Sequence, residues 1–265
     1  MIMNPPSAIF HIPHSSKAIP FDIRPSIFLS DEELQDELIR MTDSFTDELF
    51  QLSDERVRDI VFPVSRLVVD PERFEDDEAE FMAKIGMGVV YTHSSDLKSM
   101  RSALSPTERD RLLVRFYRPH HKALYEHCRT AVDSFGGCLI IDCHSFPSKP
   151  LPYEFDQSPN RPDICIGSDN FHTPEWLHRA ACRLFQENGL TFELNRPYSG
   201  AIVPMAYFSK NAKVLSVLIE INRALYMNES DGTRSEQFDS LKQLVQNVLR
   251  SLVDEVSERI AAFSD

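Results

Sequence analysis

Residues 138–145, Cys138-Leu139-Ile140-Ile141-Asp142-Cys143-His144-Ser145, decide the fold. A short apolar run introduced by Gly136-Gly137 reads as a buried strand, and it delivers a histidine at its end. Two other runs have the same form. Ala8-Ile9-Phe10-His11-Ile12-Pro13 leads to His14, and Val214-Leu215-Ser216-Val217-Leu218-Ile219 leads to Glu220. In an open, mostly parallel sheet the carboxyl ends of neighbouring strands converge on a crevice, so residues far apart in sequence meet there. Two imidazoles with a carboxylate suit a zinc ion, which takes nitrogen and oxygen ligands and, when catalytic, keeps one position open. A further carboxylate nearby then serves as proton acceptor.

The segments around these strands alternate with helical ones, which predicts a three-layer α/β/α fold with a mixed, mostly parallel central sheet, in one domain spanning 1–265. Ser30, with Glu33 at the capping-box position, opens a helix to about Leu52, and Leu34, Leu38, Ile39, Phe45 and Leu49 mark its buried face. A strand region follows over 56–69, broken by Pro63. Ser105 and Pro106 start a long helix over 107–134. The prolines between Ser145 and Pro162 indicate an irregular loop of the kind that lines binding sites. Strands are expected at 163–167, 191–194 and 214–221, with a helix from Pro174 towards Gly189 and a closing amphipathic helix over 237–263.

Charge and composition narrow the function. There are 28 Lys and Arg against 41 Asp and Glu, a formal charge of -13 that repels a phosphate backbone and argues against nucleic-acid binding. No apolar stretch is long enough to span a bilayer, and Met1 to Pro6 lack the pattern of a signal segment. The five cysteines form no C-x-x-C pair and read as buried free thiols, which favours the cytoplasm. Gly86-Met87-Gly88 is too short for a nucleotide loop.

A set of short motifs in order resembles the N-formylglutamate amidohydrolase family, whose fold is related to that of the zinc carboxypeptidases. They are Ile12-Pro13-His14-Ser15, the run from Ser65 to Arg73, Arg118-Pro119-His120-His121, Asp142-Cys143-His144-Ser145, Asn195-Arg196-Pro197-Tyr198-Ser199-Gly200 and Glu220-Ile221-Asn222-Arg223. Each is weak alone; the ordered series covers most of the chain. The resemblance implies one Zn2+ held by His14 and His144, and hydrolysis of N-formylglutamate to formate and glutamate, as in histidine breakdown. It also implies that Glu220 takes a proton from the attacking water and later delivers it to the leaving nitrogen.

The remaining roles are less sharply defined by sequence. The H-x-x-E pattern of the carboxypeptidases is missing, since Lys17 stands three residues after His14. Asp43, which matches an acidic position in the family's first helix, is the expected third metal ligand, against the plainer reading of an exposed helix aspartate; Asp47 lies one turn further on. Arg66 and Arg73 flank Asp70 and Glu72, giving either a salt-bridge cluster or a clamp for a substrate carboxylate, with an arginine such as Arg66 steadying the developing oxyanion. Asn195 and Arg196 offer a second clamp at another strand end, and Tyr198 a residue that closes over ligand. His121 receives a supporting role, while His11, His93, His120, His127, His172 and His178 default to structural or surface positions. The residues alone reach metal-assisted hydrolysis of a small anionic amide, which the resemblance narrows to a small anionic N-acyl amino acid; the alternatives are a related zinc deacylase or carboxypeptidase of other specificity, or a non-catalytic amino-acid-binding protein on the same fold.

Overall fold

A computed structural model describes residues 7–262. The positions at Met1 to Pro6 and Phe263 lie outside them. The sequence forms β1 (Ala8–Ile12), α1 (Asp31–Met41), the single turn α2 (Thr46–Leu49), β2 (Val57–Val61), α3 (Pro106–Leu112), α4 (Arg118–Phe135), β3 (Cys138–Phe146), β4 (Ile164–Gly167), α5 (Glu175–Glu187), β5 (Phe192–Leu194), β6 (Val214–Asn222), the small hairpin β7 (Met227–Asn228) and β8 (Thr233–Arg234), and α6 (Phe238–Ala261). Six strands make one sheet in the order β2-β1-β3-β6-β4-β5. The first four are mutually parallel, whereas β4 runs antiparallel to β6 and carries β5 parallel to itself.

Alternation along the strands builds the layers, because successive side chains point to opposite faces. Phe10, Leu139, Ile141, Leu215 and Val217 pack on one face against α5 and α6. Ile9, Ile140 and Val214 lie on the other, against Leu124, Cys128 and Ala131 of α4. The expected α/β/α sandwich with a mixed sheet is therefore the observed architecture. All five cysteines are buried and unpaired. Among the described residues no helix is long and apolar enough to cross a membrane.

The two capping boxes form as the sequence indicates, Ser30 with Glu33 and Ser105 with Glu108. The helix expected to reach Leu52 instead stops at Met41. The backbone of Thr42 turns extended, Asp43 N–H donates to the carbonyl of His14 at 3.0 Å, and Phe45 takes φ 67° before α2 begins. A tertiary hydrogen bond to the end of β1 thus wins over helix continuation. The strand expected over 56–69 ends at Val61, and the buried segment after it is irregular around Pro63.

Gly167 shows how tightly the end of β4 meets the loop after β5. A Cβ there would lie 2.5 Å from Leu218 Cδ2 and 2.8 Å from the carbonyl oxygen of Gly200. Gly167→Ala is therefore expected to lower stability by about 1–3 kcal/mol through overpacking. A urea midpoint equal to that of the unsubstituted protein would show that β4 and the loop separate easily.

Candidate metal centre and active site

Strand parity assembles the site on the face that α4 covers. On β3, Asp142 and His144 share the face of Ile140, and on β6 Glu220 shares the face of Val214. His144 and Glu220 are register partners, as are His11 and Asp142. His14 follows the end of β1, and its ring centroid lies 5.1 Å from that of His144. All of these side chains are buried.

Each of the two central histidines is held at one nitrogen by a carboxylate. His14 Nε2 lies 2.8 Å from Asp70 Oδ1, and His144 Nδ1 lies 3.1 Å from Asp43 Oδ2. Such partners fix ring orientation and raise the basicity of the other nitrogen toward a metal. That arrangement leaves His14 Nδ1 buried with no hydrogen-bond partner, while His144 Nε2 faces Glu72 Oε2 at 3.2 Å and Asp142 Oδ1 at 3.1 Å. His14, Glu72 and His144 offer one donor atom each, all within 4.8 Å of one another. A buried imidazole nitrogen with no hydrogen bond, beside a second imidazole and a carboxylate, is the donor chemistry of a transition-metal site.

Asp43, the third ligand expected from sequence, is not in that group, although its Oδ2 lies 3.7 Å from His14 Nδ1. Its Oδ2 also accepts from Ser145 N–H at 3.2 Å, and its Oδ1 accepts from Arg223 at 2.8 Å. Asp43 is thus placed to orient His144 and to balance a buried guanidinium, and Asp47 is exposed. Glu72, for which a salt-bridge cluster with the arginines was one of the two sequence readings, faces His144 and His11. Asp70 takes the arginines: Arg66 donates to its Oδ2 at 2.8 Å through Nη2, and Tyr91 O–H donates to the same oxygen. These cationic contacts and His14 hold the Asp70 carboxyl well below the usual carboxylate range despite its burial.

Glu220 stands apart. Its Oε2 is buried without a partner, and Arg223, its nearest candidate base in sequence, is spent on Asp43, Ser145 and the carbonyl of Arg40. Burial pushes the Glu220 carboxyl up to about 8, against the pull of His144. A carboxylate raised in this way is poised to exchange protons near neutrality.

These groups line a cavity of about 1020 Å3, together with Arg66, Arg73, Tyr153, Tyr198 and Arg223. Arg73 Nε is buried without a hydrogen-bond partner. His121 also lines the cavity and its Nε2 binds the carbonyl of Pro71 at 2.8 Å, next to Glu72; burial lowers it to about 4, so it is neutral. Asn195 and Arg196 do not line it. Asn195 Oδ1 accepts from Ser168 N–H, and Arg196 pairs with Asp156 and Glu193 at the surface. The reason is topological: β5 runs against β3 and β6, so its carboxyl end points away from the crevice. His11 and His120 are interior, with their Nε2 atoms 2.8 Å apart and His11 Nδ1 2.7 Å from Asp142. Asp142 was legible in principle, since a residue two before a strand histidine shares its face.

Against known proteins, the model of the N-formylglutamate amidohydrolase family matches residues 7–227. The chain belongs to this family. It is 26% identical over 193 residues to an N-formylglutamate deformylase of Pseudomonas putida, a match covering 71% of this chain and 70% of the relative. The crystal structure of an N-formylglutamate amidohydrolase from Ralstonia eutropha JMP134 superposes with a TM-score of 0.81 at 24% identity, over 97% of this chain and 95% of that one. A gene product of Agrobacterium tumefaciens aligns with a TM-score of 0.62 at 20% identity, over 93% of this chain and 92% of the other. Both structures share the fold.

The geometry makes different predictions for Glu72 and Asp43. Glu72→Ala is expected to abolish the rise in thermal midpoint that Zn2+ gives the unsubstituted protein, as are His14→Ala and His144→Ala. Asp43→Ala is expected to destabilise the metal-free protein by about 3–5 kcal/mol, because it leaves the Arg223 charge buried and unpaired. Calorimetry of chelator-treated proteins with and without Zn2+ checks both; a full zinc shift in Glu72→Ala would move the third ligand elsewhere.

Proposed function

We propose that this chain hydrolyses the amide of a small anionic N-acyl amino acid, with N-formylglutamate as substrate and formate and glutamate as products. The observation that carries this reading is the meeting, in one cavity, of the His14–Glu72–His144 donor group with the partnerless carboxylate of Glu220. The names and family of the relatives support it.

In this reading His14, His144 and Glu72 hold one Zn2+. When bound, zinc supplies Lewis acidity that polarises a carbonyl and acidifies a water. Glu220 accepts the proton of the attacking water at Oε2 and passes it to the leaving nitrogen. Asp43 and Asp70 keep the histidine rings in place. Arg66, anchored on Asp70, steadies the negative charge that develops on the carbonyl oxygen. Arg73, which lines the cavity with its Nε 3.8 Å from Asp70 Oδ2, receives a substrate carboxylate, and Tyr198, in the same lining, closes over the substrate. Asn195 and Arg196 have no part, since they face away from the cavity.

Release of formate from a panel of N-formyl and N-acetyl amino acids, by zinc-reconstituted and chelated protein, tests the assignment. N-formylglutamate is expected to outpace N-formylglutamine, and chelation to stop both; a preference for neutral formyl amino acids removes the glutamate assignment. Glu220→Gln is expected to retain fold and metal while losing about a hundredfold to ten-thousandfold in kcat. Arg73→Lys keeps the charge but loses the fork, so KM for N-formylglutamate is expected to rise more than KM for N-formylglutamine, with kcat little changed. Equal changes for the two substrates would take Arg73 out of this role.

A further inference from the structure

Pockets of about 300–1,000 Å3 bury whole drug-sized ligands. This cavity, at about 1020 Å3, is far more than N-formylglutamate needs. Its walls differ in chemistry. Arg66 and Arg73 are among its lining residues and suit the carboxylates of an amino acid. A second part, made by α4 and the segment after β5, presents Tyr125, Val203, Pro204, Met205 and Phe208.

That apolar wall starts at the reacting centre. Ile202 N–H donates to Asp142 Oδ2 at 3.3 Å, and the other oxygen of Asp142 contacts His144. Ser216 Oγ holds the carbonyl of Ile202 at 2.8 Å, and Tyr207 stacks on Tyr125 with centroids 5.8 Å apart, so the wall is fixed to β6 at one end and to α4 at the other. It then leads outward: Met205 is 64% exposed and Phe208 39%. Large apolar side chains left uncovered at the mouth of a cavity gain stability when an apolar group covers them.

An amide substrate has two ends. With its amino-acid end on the arginines, its acyl carbon is directed to the remaining wall, and formyl is too small to cover any of it. We propose that the same site also hydrolyses anionic amino acids whose N-acyl group is larger than formyl and apolar, the acyl chain lying along the wall over 203–208. This rests on the hydrolase reading above and uses the same step. The water oxygen bonds to the carbonyl carbon, the C–N bond breaks, and both of the water's protons end on the leaving nitrogen, giving an apolar carboxylate and the amino acid with its ammonium group.

The test compares kcat/KM of the zinc-loaded protein for N-formyl-, N-acetyl-, N-hexanoyl- and N-benzoyl-glutamate. The hexanoyl or benzoyl compound is expected to exceed the acetyl one by at least about tenfold, the smaller end of what one added group is worth in an apolar pocket. Met205→Asp is expected to lower the hexanoyl-to-formyl ratio about tenfold, and Met205→Leu to restore it. Calorimetry with the Glu220→Gln protein gives a second readout independent of turnover: N-hexanoylglutamate is expected to bind about tenfold more tightly than N-formylglutamate. Turnover of the formyl compound with rates that fall as the acyl group grows overturns the acyl wall alone. Turnover of none of the four overturns the hydrolase reading and this inference with it.

Discussion

The buried pair of Asp43 and Arg223 is the interaction on which the rest of the site depends. One carboxylate reaches His144, Ser145 N–H and the guanidinium at once, so it ties the break after α1 to the ends of β3 and β6. Taking both charges out of water is expensive, and further hydrogen bonds to both groups offset that cost. Arg223 adds bonds to Ser145 and to the carbonyl of Arg40, which would otherwise be an orphan near the end of α1. The helix stops at Met41 because continuing it would take Asp43 away from this arrangement.

Beyond that pair, the interior around the crevice is a chain of alternating acids and bases. Asp70 links Arg66, Tyr91 and His14; Asp142 links His11 and His144; His11 links onward to His120. Burial and His11 lower His120 to about 2, which keeps it neutral and allows two imidazole nitrogens to share one proton at 2.8 Å. His144 is held in its charged form in the metal-free protein by Glu72 and Asp142, against its burial. A divalent cation held here would replace that positive charge beside the same carboxylates.

Besides Arg73 Nε, two buried atoms of the cavity lining have no hydrogen bond, His14 Nδ1 and Glu220 Oε2. Leaving a buried polar atom without a partner costs about 1–3 kcal/mol, more for a charged group. Such a cost is tolerated where ligand or substrate later supplies the missing partner, and both atoms open on the same cavity.

Much of this was legible in the chain itself, and the rest was not, for a definite reason. Short apolar runs, glycine stops and capping boxes are local signals with a fixed period, so β1, β3 and β6, the starts of α1 and α3 and the sandwich could be read directly; so could His14, His144 and Glu220, which sit on or just past those strands. Strand direction is not local. Nothing between Asp163 and Leu194 tells that β4 reverses, and so Asn195 and Arg196, at a genuine strand end, lie at the wrong edge. The grouping of Glu72 with His14 and His144 is likewise decided in three dimensions. Asp43 and Glu72 both lie on irregular backbone, where periodicity says nothing about direction. Only the packing of that backbone against β1 and α4 turns Glu72 towards the histidine pair and Asp43 towards Arg223.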